Sequence, residues 1–427
     1  MRIWYALNGI VISGGSTLIK DMVMQNMLGG AGIYFAGSVS VPADELTIED
    51  VLFDNLYPNA QGAGGGPVKT WTTSTAFSVG DVTSTNGKIY QVSTAGTSAG
   101  SGTGPTGFPT GTTPLSAFTG TITDGTVQWK FVADAELNWI IMDSYTNGLK
   151  LKKVTAQDGT RGLFMIDNAN TGSSYPSFAW ADNFLIDHPF SNGIELGAGS
   201  NFYSVNSNSN YSLVGNGILV GSAFKGVISI SNFRAYNNWL NGINTSAGDF
   251  SISNSHIHNN SLSGSGANHG ILVGANISKV IIAGNRLGKG PDLGAALQGY
   301  GVSITAGTGT DINISNNVCG TDNVTGCINN GATGTRNRIH DNSGYNPVGV
   351  TAATTMGASP FTYTAGPTPE THYVRQSATN TATIAKGGQQ IATLAGATTY
   401  YTIQLGPNES YTTTWVTTAP TYTKDVH

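Results

Sequence analysis

Acidic side chains are the first candidates for chemistry, because they are few and unevenly placed. The chain of 427 residues carries 24 Asp and Glu. Asp143, Asp158, Asp167, Asp182, Asp187 and Glu195 crowd one stretch, and only Asp249 occurs between Glu195 and Asp292. Hydrolysis of a glycosidic bond needs two carboxyl groups flanking the scissile bond, one to protonate the leaving oxygen and one to act as base or nucleophile. Residues 158–195 are where one chain could supply both. In Gly193-Ile194-Glu195-Leu196 the aliphatics alternate with Glu195, so on a strand they point inward and Glu195 points out. Phe164 in Gly162-Leu163-Phe164-Met165 and Tyr34 in Gly32-Ile33-Tyr34-Phe35 hold the same place in matching segments. An outward carboxylate beside outward rings is what a sugar groove requires. Asp187, near the following corner, is the expected catalytic partner of Glu195. Asp182 is a third candidate, with a competing structural reading given below.

A second set is basic. Arg234, His256 and Arg286 are each the seventh residue of a similar segment, and Arg338 continues the series. Like charges stacked that closely are unfavourable unless solvated or matched by an anion. The match could be an anionic sugar held by bidentate arginine contacts. The plainer readings are a solvated flank or packing against another subunit. A lyase would use such cations to neutralise a uronate and a base to take the proton. No calcium-binding acidic cluster, zinc pattern or Ser-His-Asp set stands out, so neither metal nor cofactor is expected.

Residues can be brought to one face in this way only by a repeat, and one is present. Thr17 to Asn26 aligns without a gap on Leu46 to Asn55, an offset of 29 residues. Further copies start at Leu149, Phe178, Phe202, Ile228, Phe250, Val280 and Ile312. Their fifth residues form a column of Asp21, Asp50, Lys153, Asp182, Asn206, Asn232, Asn254, Gly284 and Asn316. Most copies are accompanied by a Gly-Ile-type motif, as at Gly32, Gly162, Gly193, Gly217, Gly242, Gly270 and Gly301. Each copy alternates apolar and polar residues, which is the strand period. Each is too short to hold a crossover helix. The pattern predicts an all-β fold, a right-handed parallel β-helix of nine coils, about 40 Å long at about 4.8 Å per coil. Asn and Asp tolerate left-handed dihedrals, so the column reads as a stacked corner, architecture rather than catalysis. Cys319 falls where Leu287 falls in the preceding copy and is expected to be a buried, inert thiol. Two cysteines make no disulfide framework.

The repeat divides the chain into first coils at 1–61, an inserted β-module at 62–135, the main β-helix at 136–347 and a β-rich C-terminal module at 348–427. In the insert, Trp71, Tyr90 and Trp129 could stack on sugar rings. The commoner use of such rings is as the core of a tiny domain. After Tyr345-Asn346-Pro347 comes a Thr-rich tail of alternating strands, expected to have little core of its own and read as a trimerisation or a sandwich module.

Composition sets outer bounds. Hydrophobic residues make up 39% and charged residues only 10%, with a net charge of −5. A core is therefore affordable. No basic run of the nucleic-acid type occurs, and no apolar stretch is long enough to span a bilayer. Met1 to Gly14 has no signal-peptide layout, which fits a virion part released by lysis better than a secreted enzyme.

Residues 1–345 resemble the right-handed β-helix, or pectate-lyase-like, superfamily. The insert, with its leading Trp71, Gly80-Asp81-Val82, Asn86-Gly87-Lys88 and Asp124-Gly125-Thr126-Val127-Gln128-Trp129, resembles modules found in phage tail proteins. Leu405-Gly406-Pro407-Asn408-Glu409-Ser410-Tyr411 resembles the C-terminal modules of tailspikes. The resemblance implies a homotrimeric tailspike or tail-fibre protein that binds, and commonly cleaves, a bacterial surface polysaccharide. It implies attachment to other virion tail proteins through an N-terminal part that this sequence lacks. A non-catalytic receptor-binding fibre, and a secreted lyase or epimerase of the same fold, remain alternatives.

Overall fold

The computed structural model describes residues 2–4, 9–25, 27, 30–54, 71–85, 88–105, 121–134, 137–167, 176–290, 297–319, 322–345, 349–376, 380–396 and 399–427. Among them there is no helix. The repeat copies pair side by side in parallel, as Asp21 and Asp50 require: Lys20 lies against Glu49 and Met22 against Val51. The chain is a parallel β-helix with three walls. Sheet 1 is the ladder of Gly-Ile motifs. In it Ile33, Ile140, Leu163, Ile194, Ile218, Ile243, Ile271, Val302 and Ile328 stack in register. Every one of these side chains is buried, so each coil's apolar residue covers the next. Sheets 2 and 3 are the two limbs of strands bent at the repeat column. The limbs are continuous in Thr17–Gln25, Ala43–Asp54, Thr146–Gln157 and Ser177–Asp187. They separate later, as in Ile228–Ser231 with Arg234–Tyr236.

Sheet 2 has ten rungs among the described residues, one more than the nine copies, because Arg338–His340 adds a rung on Ile312–Ser315. The bend itself is explained by dihedrals. Asp21, Asp50, Lys153, Asn183, Asn206, Asn232, Asn254, Gly284, Asn316 and Asp341 all take positive φ, between 48° and 67°. The column at the fourth copy is therefore Asn183, not Asp182. Lys152 pairs with Asp182, which sets Asp182 on the exposed face of sheet 2. The hydrogen-bonded amide ladders lie mainly beside the column, at the buried residue that follows it. Asn285 Nδ2 donates to Asn317 Oδ1 at 3.0 Å, and Asn317 Nδ2 to Asn342 Oδ1 at 2.9 Å.

Two expectations about the upper coils are corrected. Cys319 is buried, but it is joined to Cys327 in a disulfide rather than free. A spacing of eight residues carries the chain from one wall to the next and brings the two sulfurs together. Arg338 does not continue the line of Arg286, which pairs with Val318. Arg338 pairs with Asn313 on sheet 2.

The excursion between Asp54 and Asn138 leaves Ala43–Asp54 and Thr146–Gln157 as direct neighbours. Its described part holds an antiparallel sheet of Val82–Thr85, Lys88–Thr94, Val127–Asp134 and Ile122–Asp124, with a short antiparallel pair of Ala76–Phe77 and Gly96–Thr97. The proposed edges Gly62 and Ala135, like Asn346-Pro347 at the rod's end, lie outside the described residues. The C-terminal part is a sandwich of two antiparallel sheets around Met356, Val374, Ile384, Leu394, Ile403, Leu405, Tyr411 and Trp415. It thus has a core of its own, contrary to the reading of its Thr-rich strands as core-poor: one residue in two faces inward, and the threonines largely take the outer faces. Asn408 Nδ2 donates to Asn337 O at 3.0 Å and Ile339 N to Pro367 O at 2.7 Å. The sandwich thereby covers the last rung, whose backbone would otherwise be an open edge.

Candidate functional site

Sheet 3 ends in a second bend, and chemistry gathers there. The last outward residues of its strands, Gln25, Asp54, Gln157, Asp187, Asn210, Tyr236 and His258, are in register coil by coil. The residues that follow, Asp158, His188, Tyr211, Asn237 and Asn259, take φ of 52° to 56°, which turns the chain and lifts their side chains beside that row. Asp158 is thus bracketed by Asp54 of the coil before and Asp187 of the coil after.

This setting controls protonation. Burial pushes the Asp158 carboxyl up to about 7. Asp54 and Asp187 push the same way, and only the charge of His188 opposes them. Asp158 therefore keeps its proton through the acidic range and gives it up only around neutral pH. Asp187 accepts a hydrogen bond from Asn210 Nδ2 at 2.5 Å, and His188 Nδ1 lies 3.0 Å from the same oxygen. For His188, burial disfavours the charge but the bond to Asp187 and the charges of Asp187 and Asp158 outweigh it, so its pKa is raised. Two carboxyl groups in different environments, one raised by burial and one held by donors, are the arrangement that separates an acid from a base or nucleophile.

Rings continue the row upward. His188 stacks on Tyr211 with centroids 4.9 Å apart and 8° between planes; Tyr211 meets Tyr236 edge-on at 5.6 Å; Tyr236 stacks on His258 at 5.0 Å. Beside them run Arg234, His256 and Arg286, one directly above the next. Sheet 2 carries another ring stack that the sequence reading did not single out. Phe178, Trp180 and Tyr203 lie nearly parallel at 5.6 and 6.0 Å, with Phe178 and Trp180 each 38% exposed. Parity within Phe178-Ala179-Trp180-Ala181 was the available signal.

Two of the solved structures similar to the chain are phage tailspikes. One is the enzymatically active domain of tailspike protein 2 of bacteriophage CBA120: TM-score 0.20, 13% identity, covering 100% of this chain and 72% of that one. The other is the tailspike gp49 of Acinetobacter baumannii bacteriophage Fri1, a capsular polysaccharide depolymerase: TM-score 0.16, 8% identity, covering 97% and 86%. No protein-family model matches, and no curated protein sequence does. Likenesses this distant leave the function to be argued from fold and geometry.

The candidates from sequence divide between walls. Glu195 lies on sheet 1, directly over Phe164, as its parity requires. Its carboxylate is engaged: Arg161 Nε donates at 2.5 Å and Asn192 Nδ2 at 2.9 Å, and the Arg161 guanidinium sits 4.5 Å over the Phe164 ring. Tyr34 shares the column but is separated from Phe164 by Ile141, and its hydroxyl bonds Asp143. The partners of Glu195 and those of Asp187 have no residue in common, so the two acids belong to separate groups. Asp182 accepts from Asn206 Nδ2 at 3.2 Å on sheet 2, across the bend from Asp187. In the insert, Tyr90 and Trp129 are 1% and 0% exposed, packed with Phe77, Val92 and Val127. They are the module's core and offer no face to a sugar. Trp71 packs against that core, and its Nε1 donates to Asp124 at 2.7 Å.

Proposed function

We propose that this chain binds a bacterial surface polysaccharide along sheet 3 and hydrolyses it at the bend formed by Asp158 and Asp187, as a tailspike-type depolymerase of a phage virion. The observation that carries the reading is Asp158, a carboxyl held at about 7 between two other acids, at the foot of a row of rings. Asp158 gives its proton to the glycosidic oxygen as the bond breaks. Asp187, held by Asn210 and His188, supports the developing positive charge at the sugar carbon, by direct attack or by activating water. Tyr211 and Tyr236, half-buried in this ring stack, offer apolar contact for sugars on either side of the bond. In this reading Glu195 acts with Arg161 as a part of the neighbouring wall, and Phe164 is covered by that guanidinium. Three copies assemble as a homotrimer, supported by apolar residues on the outer face of sheet 2, where Leu18, Val205 and Ile281 are 61%, 37% and 49% exposed. Other tail proteins hold the trimer to the particle, outside the host cell.

Purified chain incubated with a panel of bacterial capsular and O-antigen polysaccharides tests this by the release of reducing ends. Cleavage lost in both Asp158→Asn and Asp187→Asn supports the reading. Products bearing a new conjugated double bond would make it a lyase, and binding without cleavage would make it an adhesin. Cleavage at the normal rate in both variants would remove the site from sheet 3.

A further inference from the structure

Arg234 and Arg286 are outward residues on the same wall as Asp187, and neither has a counterion. Arg234 lies beneath His256, and His256 beneath Arg286. Among the described residues neither arginine forms an ion pair, although the chain's other exposed cations commonly do, as Lys20 with Glu49 and Arg336 with Asp311. Their neighbours in the column are Asn208 below and Val318 above. Asp322, beside Gly288, makes no ion pair with Arg286. The residue between the arginines is held uncharged: His256 is disfavoured as a cation by burial and then by Arg286 and Arg234, and its Nε2 is buried without a partner. The arginines are therefore two coils apart, about 9.6 Å at about 4.8 Å per coil, with a neutral ring nitrogen between them. Arg234 is braced over the Tyr236 ring at 4.8 Å.

A pyranose unit in an extended glycan is about as long as one coil's rise. A glycan lying along the rod therefore places one sugar on each coil, and alternate sugars opposite Arg234 and Arg286. We propose that these two arginines are subsites for the carboxylates of an acidic polysaccharide with an acidic sugar at every second position, and that His256, on the rung between them, contacts the sugar between. Each guanidinium presents a fork that matches a carboxylate in two parallel hydrogen bonds. Further down the wall, Asp158 follows the rung three below Arg234, the level of a neutral sugar, while Asp187, two rungs below, is level with an acidic sugar and has His188 beside it as the adjacent cation. This assignment rests on the polysaccharide reading above and narrows it to one substrate class.

The test uses the full chain and acidic bacterial surface polysaccharides of alternating repeat, each paired with its own carboxyl-reduced form. Binding is measured by affinity electrophoresis at low and high salt. The expected results are retardation by at least one native acidic polymer, loss on carboxyl reduction, and weakening by about tenfold or more in Arg234→Gln and in Arg286→Gln. Arg→Lys variants, which keep the charge but lose the fork, should recover only part of the binding. Both arginines are exposed, so the variants should fold. Binding that survives carboxyl reduction, or that is unchanged in both Gln variants, overturns the proposal. Cleavage of a neutral polymer under those conditions would leave the depolymerase reading standing without it, whereas failure to bind or cleave any polymer, neutral or acidic, would sink both.

Discussion

Replacing Asp158 by Asn separates catalysis from stability more sharply than any other change. Asparagine keeps the shape and most of the hydrogen bonding but cannot ionise. In the native chain the carboxyl is lifted from 3.8 to about 7, first by burial and then by Asp54 and Asp187. Its pKa is therefore higher folded than unfolded. The stabilisation from the neutral form is complete below about pH 4 and is lost as pH rises through 7. A lift of that size corresponds to at most about 4 kcal/mol, an upper limit because the side chain is partly open to water. At pH 8 the Asn variant should resist denaturant better than the native chain by up to that amount; at pH 4 the two should be close. Loss of a general acid should meanwhile lower the hydrolysis rate by about 10²–10⁴-fold. The native rate should fall as pH rises through 7, because the proton to be donated is gone. Denaturant midpoints at the two pH values, with reducing-end assays on a cleavable polysaccharide, decide it. A variant that hydrolyses normally and shows the same midpoints as the native chain at both pH values would refute both the raised pKa and its use.

Glu195→Gln should chiefly cost stability, about 1–3 kcal/mol for a charged hydrogen bond to Arg161, with the cleavage rate changed only a few-fold. A large loss of rate without destabilisation would move the catalytic pair back to sheet 1. Asn317→Leu removes a side chain that accepts from Asn285 N and Nδ2 and donates to Ile282 O and Asn342 Oδ1. The buried groups left behind should cost about 3–6 kcal/mol, read as a lower denaturant midpoint. Light scattering of the full chain should give three times the chain mass of 44.2 kDa, and Ile281→Asp should lower it; a native mass of one chain would end the trimer reading.

The fold was legible because its signal is repeated. One inward column of aliphatics and one left-handed column are each written into the chain coil after coil, so an error in one copy does not hide the rest. The fourth copy shows how such an error arises. Aligning Phe178 with Leu149 puts Asp182 in the bend, and only the pairing of Leu149 with Ala179 reveals the shift of one residue. The Arg234–His256–Arg286 column was legible for the same reason. The acid pair was not. Asp158 falls just past its strand, at a bend whose residues Asp158, His188, Tyr211, Asn237 and Asn259 share a dihedral but no side-chain type, so the alignment has nothing to detect. The ion pair of Glu195 was hidden as well, since Arg161 stands 34 residues away and meets it only because the coils stack. The disulfide escaped because eight residues of sequence say nothing about a turn from one wall to another.

Sheet 3 is a more coherent place for a glycan than sheet 1 because its parts share one axis. Registered stacking puts Asp187 two rungs below Arg234 and four below Arg286, about 10 and 19 Å along the rod at about 4.8 Å per rung. A chain held by its charged sugars at those two levels is thereby carried past the bend with a fixed register, and the bond presented to Asp158 is determined by the repeat of the polymer. Sheet 1 offers no such alignment: above Glu195 its outward column passes to Leu219, Asn244 and Leu272, and the carboxylate there is already neutralised by a guanidinium. Binding energy gained at the arginines can lower the barrier only if it is transmitted to the reacting bond as position. On this wall the transmission needs no moving part, since the same backbone ladder that spaces the arginines spaces the acids.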